Sequence, residues 1–576
     1  MSRSTALLPL FLLSTAAFAH DHHHDHGQAV APATAQAEVK TGVPAAAPRS
    51  AAERNATITA PLPEDQAALK AHVMFLASDA MAGREAGTRD YDIAAQYVAA
   101  QFYAAGLRPG GDDGGYLQKV PLVAYKVADK GSAMWTPIGG TATELVFGED
   151  FVPSPVPDRK ETSVSAPVVF VGYGIDAAQY GLTDYKGVDV RGKIVAFVPG
   201  APEGLGGEER AFFGSAANKA ALAAAKGAIG AVQIDMPRSN GRQRPFASLA
   251  RYYDAARVTW ANPDGTAHAM TPTTPVLGTL SQAGAARLFG KDWTVIAKAA
   301  AAPRPRFTPI IARGRMTVAS KTSFTSMDSS NVIGLIPGSD PRLKDQVVVL
   351  SAHLDHIGVN DGGDGDRINN GALDNAIGIA SLIEEARRFK AATPPKRTVM
   401  FLAVTAEEKG LVGSDYFANH PTVPLKSIVA DVNLDMPILT YKFEDMVVFG
   451  ADRSTLGPIV RKAVGAMGLP VAPDPMPEEG IFVRSDHFRF VQKGIPSVFL
   501  WPGQAGPGKA AVADFMSHRY HRPGDEIDQG IDWSQGPRFV SVNYAIAREI
   551  ADEPERPVWN KGDYFGTLYK GPMAGK

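Results

Sequence analysis

Five stretches of this chain concentrate the residue types that bind metals or move protons. The largest, residues 351–378, reads SAHLDHIGVNDGGDGDRINNGALDNAIG. It follows the strand formers QVVVL and runs into a helical pattern with Ile377, Ala380, Ile383 and Ala386 on one face. A strand that releases His353 and Asp355 into a Gly-rich loop at its carboxyl end is where an open α/β sheet places its chemistry. Asp374 stands just before the helix, where unpaired backbone N–H groups favour a carboxylate. A solvated loop with an ordinary Asp cap would read the same way, so this stretch does not decide alone.

The other four stretches also stand at the ends of elements. Glu407 and Glu408 follow the strand-like TVMFLAV, and Asp435 ends IVADVNL. RSDH (residues 484–487) and YHRPGDE (residues 520–526) lie in loops. Each has an ordinary reading: a Glu pair favoured by a helix dipole, a turn-forming Asp, a surface His. Together they place carboxylates and histidines at the carboxyl ends of several strands. Two adjacent metals need a bridging carboxylate, about two further protein ligands each, and a free carboxylate to take a proton. His353, Asp374, Glu408, Asp435 and His521 are candidate ligands, and Glu407 a candidate base.

Composition narrows the chemistry. The 576 residues include no cysteine, which excludes disulfides, thiolate ligands and Cys nucleophiles. Any metal must be held by His, Asp and Glu, a set that suits Zn²⁺ and admits Mn²⁺ or Co²⁺. A formal net charge of −2 gives no bulk case for nucleic acid or an anionic membrane as partner. The N-terminus reads as a signal peptide over residues 1–19, with Arg3, an apolar run too short to span a bilayer, and Ala17-Phe18-Ala19 as cleavage site. The mature chain is therefore expected to be exported, periplasmic or extracellular, without membrane insertion. Residues 20–62 read as a disordered leader that opens with HDHHHDH and continues rich in Ala and Pro.

The elements that must position these residues follow from periodicity. Leu69, Val73, Phe75 and Leu76 give one helical face and Ile93, Tyr97, Val98, Phe102 and Leu107 the next, stopped by Gly106 and Pro109, in an ordered part, 63–162. A compact strand and helix module without clustered catalytic residue types follows at 163–309. Regular strand–helix alternation fills 310–552 and predicts an α/β fold, a mixed, mostly parallel sheet with helices on both faces. Residues 553–576 read as a loose tail.

The pieces AHLDH, NGALDNAIG, AEEKGLVGS, NLDM, RSDH and YHRPGDE closely resemble, in order and spacing, the di-zinc peptidases of metallopeptidase family 28. SDAMAGREAGT (residues 78–88) resembles the family's N-terminal part, and 163–309 resembles an inserted, β-rich protease-associated domain. The resemblance implies an enzyme with two Zn²⁺ per chain, acting on peptide substrates. His353 and Asp435 would bind one zinc, Glu408 and His521 the other, and Asp374 would bridge them. Asp355 would orient His353, Glu407 would serve as general base toward a bridging water, and Tyr520 would help hold the oxyanion. His356 is set aside as a ligand because the motif pattern belongs to His353, and Asp486 and His487 read as supports of the pocket. An aminopeptidase is the leading expectation. A carboxypeptidase on the same scaffold, a glutaminyl cyclase-like acyl transfer and a non-catalytic binding homologue are the alternatives.

Overall fold

The computed structural model describes residues 50–236, 246–362 and 365–575. The signal-like run, the His-rich segment and most of the leader lie outside the described residues.

Four parallel strands form the centre of the main sheet, in the order Thr398–Val404, Val347–His353, Ile428–Leu434, Ser497–Pro502. Antiparallel strands flank them. Ile310–Ile336 pairs with Thr398–Val404 on one side, and Met446–Phe449 pairs with Ser497–Pro502 on the other. The central strands are buried on both faces, which is why QVVVL and TVMFLAV read as unbroken apolar runs. Their side chains divide with period two. Val348, Leu350, Val399 and Phe401 face the helices Glu64–Leu76, Arg89–Ala104, Ile377–Ala391 and Gln535–Asp552. Val347, Val349, Met400 and Leu402 face Phe417 and Phe490 from the helices on the opposite side. The fold is α/β, with a mixed sheet and helices on both faces, and its parallel pairing is concentrated at the centre.

A second sheet grows from the first half of the same 27-residue strand, Ile310–Ile336. There it pairs with Ser132–Pro137 and Glu161–Phe170, and the sheet continues through Ile194–Phe197, Gly230–Ile234 and Val276–Leu280. The expected boundaries need correction. The module's sheet begins at Ser132 rather than at residue 163, and the boundary at 309/310 opens a continuous strand that serves both sheets. The module is also not simply β-rich. Ala216–Ala225, Gln282–Phe289 and Trp293–Ala300 are helices, and three of its strand pairings are parallel.

Both ends of the ordered chain extend beyond the sequence-based boundaries. The helix Ala51–Ile58 begins on a reciprocal cap, in which Ser50 and Glu53 each accept the other's backbone N–H. The tail is not loose. Trp559 and Phe565 are buried in the main core, and Trp559 Nε1 donates to the Gly494 carbonyl at 2.7 Å. Two aromatic residues in a polar stretch leave no periodic signal, so the sequence concealed this docking. Among the described residues no helix is long and apolar enough to cross a membrane.

Trp559→Ala is expected to destabilise the protein by about 3–5 kcal/mol, the usual range for emptying a buried aromatic site. The shift of the urea midpoint measures this. An unchanged midpoint would mean that the tail contributes nothing to the core.

Candidate metal centre

His353 is the last residue of its strand and is buried. Its Nδ1 lies 3.1 Å from the Asp355 backbone oxygen, which leaves Nε2 aimed across the strand ends. Nε2 is 3.0 Å from Asp435 Oδ1 and 3.3 Å from Asp374 Oδ1. On the other side of Asp374, His521 Nε2 is 3.4 Å from Oδ2 and 3.0 Å from Glu408 Oε2. Asp374 therefore stands between two His–carboxylate pairs. Two ligand atoms on one tetrahedral zinc, at bonds of about 2.0–2.2 Å, lie about 3.3–3.5 Å apart. The spacing and donor types fit a cation in each half.

The electrostatics follow from this crowding. Burial alone would push Asp374 and Glu408 up and His353 and His521 down. Contact overrides it: both carboxyls are held below their usual range, His353 sits well above its own, and His521 is brought up to about 10 by Glu408 and Asp374. Glu407 differs. Burial, helped by repulsion from Glu408, Asp435 and Asp486, raises it well above the carboxylate range despite His353.

Asp355 has another contact pattern than expected. The backbone oxygen, rather than the carboxylate, meets the His353 ring. The carboxylate accepts the N–H groups of Glu407 at 3.0 Å and Glu408 at 3.3 Å, which fixes the turn carrying both. Asp374 likewise does not cap the helix. A different carboxylate, Asp525, accepts the N–H groups of Leu373 at 3.0 Å and Asp374 at 2.9 Å. Burial pushes Asp525 up to about 6.

Sequence reasoning set aside or passed over several residues at the site. His356 Nδ1 lies 2.7 Å from Glu408 Oε1, and its ring nitrogen, Asp374 and Glu408 form one group close enough to hold an ion. Asn375 ties two strand ends together: Nδ2 donates to Leu434 O at 2.9 Å and His353 O at 3.3 Å, while Oδ1 accepts Met436 N–H. Gly378 makes room for it, since a Cβ there would lie 2.0 Å from Asn375 Oδ1. Arg84, fully buried, donates to the carbonyls of Leu76, Leu354, Asn370 and Gly371 and so ties the end of the helix Glu64–Leu76 and the loop after His353 to the segment that leads into Asp374. The motif spacing does contain a signal for Asp525 and Arg84, because both lie inside the motif-bearing segments; their roles depend on distant backbone.

The centre opens into a cleft. His353, Asp374, Glu407, Asp435, Tyr520 and His521 form its polar side, and Met436, Ile481, Phe499, Trp501 and Met516 its apolar side. Arg484 Nη2 donates to the Tyr520 hydroxyl oxygen at 3.0 Å. Asp486 and His487 are fully buried behind the cleft.

Peptidase family M28 matches residues 331–547. Leucine aminopeptidase 2 of Trichophyton rubrum is 26% identical over 299 residues, covering 46% of this chain and 55% of that protein. Aminopeptidase YwaD of Bacillus subtilis (strain 168) is 28% identical over 211 residues, 36% of this chain and 41% of that protein. The chain thus spans about half the length of the curated relatives it matches. Among solved structures, an aminopeptidase from Aneurinibacillus sp. strain AM-1 aligns with 87% of this chain and 97% of its own, at 18% identity and a TM-score of 0.47.

Asp525→Ala should weaken zinc retention about 10–100-fold, the usual effect of removing a group that orients a ligand. Competition with a chromophoric chelator measures it. Unchanged affinity would mean that Asp374 holds its place without the Asp525 carboxylate.

Proposed function

We propose that this chain, whose residues 331–547 form a domain of peptidase family M28, is a zinc-dependent exopeptidase that removes N-terminal residues from peptides. The observation that carries this reading is the pairing of His353 with Asp435 and of His521 with Glu408 across the shared Asp374, with Glu407 beside them. The names of the relatives, leucine aminopeptidase and aminopeptidase, support it.

His353, Asp435 and one oxygen of Asp374 would hold one zinc. His521, Glu408 and the other oxygen would hold the second. Bound zinc supplies a polarised scissile carbonyl and an acidified water. The chain's own residues do the rest. Glu407 holds a proton more readily than an ordinary glutamate, for the reasons of burial and repulsion given above. It is suited to take the proton from the water and deliver it to the leaving amine. Asp355 keeps Glu407 in place through its N–H. Tyr520 accepts a hydrogen bond from Arg484, which leaves its own O–H for a substrate oxygen. The apolar wall of Met436, Ile481, Phe499 and Trp501 suits an apolar end residue.

Arg484 favours a second reading. It lines the cleft with a partly buried positive charge, which would also pair with a terminal carboxylate, as a carboxypeptidase requires. Peptides blocked at one end separate the two. Acetylation of the N-terminus should abolish turnover, and amidation of the C-terminus should spare it; the reverse result would establish the carboxypeptidase. The signal-like N-terminus supports export, which N-terminal sequencing of the secreted protein tests.

Glu407→Gln should keep its zinc and lose about 10²–10⁴-fold in kcat, since the amide matches the shape but cannot accept a proton. Glu408→Gln should instead lower zinc content, measured by inductively coupled plasma spectrometry. Near-normal turnover in Glu407→Gln would remove it as the base.

A further inference from the structure

The cleft is lined by the main domain alone, yet the module's helix Gly207–Gly214 braces one of its walls. Glu208 and Glu209, in the first turn of that helix, both meet Arg453 of the main domain. Arg453 Nε pairs with Glu208, and Nη1 lies 2.6 Å from Glu209 Oε1 and 3.2 Å from Asp563 Oδ2. Gly450 N–H adds a 2.7 Å bond to Glu208, and the guanidinium lies over the Phe565 ring. All four charged side chains are largely buried, so this is no loose surface pair.

The clamped helix touches the 477–485 segment at two points where only glycine fits. A Cβ on Gly207 would lie 2.9 Å from Pro477 Cβ. Gly480, at φ +66°, approaches Ala211 so that an added Cβ would lie 3.3 Å away. Phe212 packs its ring against Phe488 and Phe565 just beyond the segment. The far end of the segment reaches the chemistry. Ser485 Oγ donates to Asp435 Oδ2 at 2.6 Å, and Arg484 donates to Tyr520.

We propose that Arg453 is a positioning residue: by clamping Glu208 and Glu209 it presses the module's helix onto the 477–485 segment and so sets Arg484 and Ser485 against Tyr520 and Asp435. The module thereby acts on the centre at one remove, through the wall it supports. In its kinetic consequence the inference rests on the peptidase reading; in its mechanical consequence it does not.

The test uses the zinc-loaded full chain. Arg453→Met alone would leave buried carboxylates without their cation, so it is combined with Glu208→Gln, Glu209→Gln and Asp563→Asn. Phe212→Ala loosens the same contact without touching a charge. In both variants amide hydrogen exchange in 477–485 should rise at least about 10-fold, while the helix Ile377–Ala391 keeps its protection. With a chromogenic leucine anilide, kcat should fall about 10–100-fold at unchanged zinc content, the scale expected for misplaced groups at a reacting centre. Arg453→Lys should recover part of kcat, because it restores the charge but not the planar fork. Exchange that rises equally everywhere would mean Arg453 only stabilises the fold. Unchanged exchange in 477–485 would break the mechanical link. Either result overturns the proposal. If the unmodified protein hydrolyses no peptide, the exchange result still decides, and the peptidase reading alone fails.

Discussion

The rest of the site depends on how the carboxylate of Asp374 is buried. It is 2% exposed and shares its surroundings with Glu407, Glu408 and Asp435. Like charges this close repel strongly in a protein interior, and each resists losing water. The structure answers with opposite charge and directed dipoles. Two histidines face the two oxygens of Asp374, Asp525 receives the backbone N–H groups of Leu373 and Asp374, and Asp355 receives those of Glu407 and Glu408. The buried guanidinium of Arg84 adds positive charge nearby, facing Asp374, Asp525, Asp355 and Glu408. These arrangements reduce the repulsion, and cations in the two halves would reduce it further. Binding of a cation there would therefore be coupled to the stability of this region, as in metal sites generally.

The sheet explains why ligands from three different segments arrive together. Thr398–Val404, Val347–His353 and Ile428–Leu434 are neighbours in parallel, with His353 in register with Val404 and Ser351 with Asn433. Neighbouring strands lie about 4.7–4.9 Å apart, so residues released at adjacent carboxyl ends fall within reach of a common ion. The register brings together the strand ends that carry His353, the Glu407–Glu408 pair and Asp435, and bonds from Asp355 and Ser485 fix the last three locally. Asp374 and His521 come from loops and have no such guide. Asp374 is placed by Arg84, Asn375 and Asp525, which bond to the backbone around it, and Asp525 also ties the loop of His521 to residues 372–374.

This division marks where the sequence is legible. Apolar runs and helical spacing reveal the central strands and the helix Ile377–Ala391, because burial on both faces leaves a compositional trace. Residues at the strand ends are legible by type and by resemblance. What cannot be read is a side chain whose partner is distant backbone. Nothing local in YHRPGDE says that Asp525 receives the N–H groups of residues 373 and 374, or that the Asp355 carboxylate serves residues 407 and 408 rather than the His353 ring. The module boundary failed for a related reason. Strand propensity shows that Ile310–Ile336 is extended, but not that one strand belongs to two sheets.

That shared strand also bears on the relation between module and centre. A module joined by flexible linkers could move independently of the main domain. Here Ile310–Ile336 runs unbroken from one sheet into the other, and the preceding strand Leu117–Val127 pairs along its second half before the chain turns back into the module at Ser132–Pro137. Relative rotation would have to twist a paired β-ribbon and break its ladder bonds, which is costly compared with bending a loop. On the opposite side the Arg453 cluster makes a second attachment close to the cleft. A further strand of the module, Arg257–Trp260, pairs with Leu117–Val127, and Trp260 Nε1 donates to Asp415 at 2.6 Å, so several attachments leave the module little freedom as a rigid body. Changes in the module are thus transmitted to the cleft through packing rather than through opening and closing.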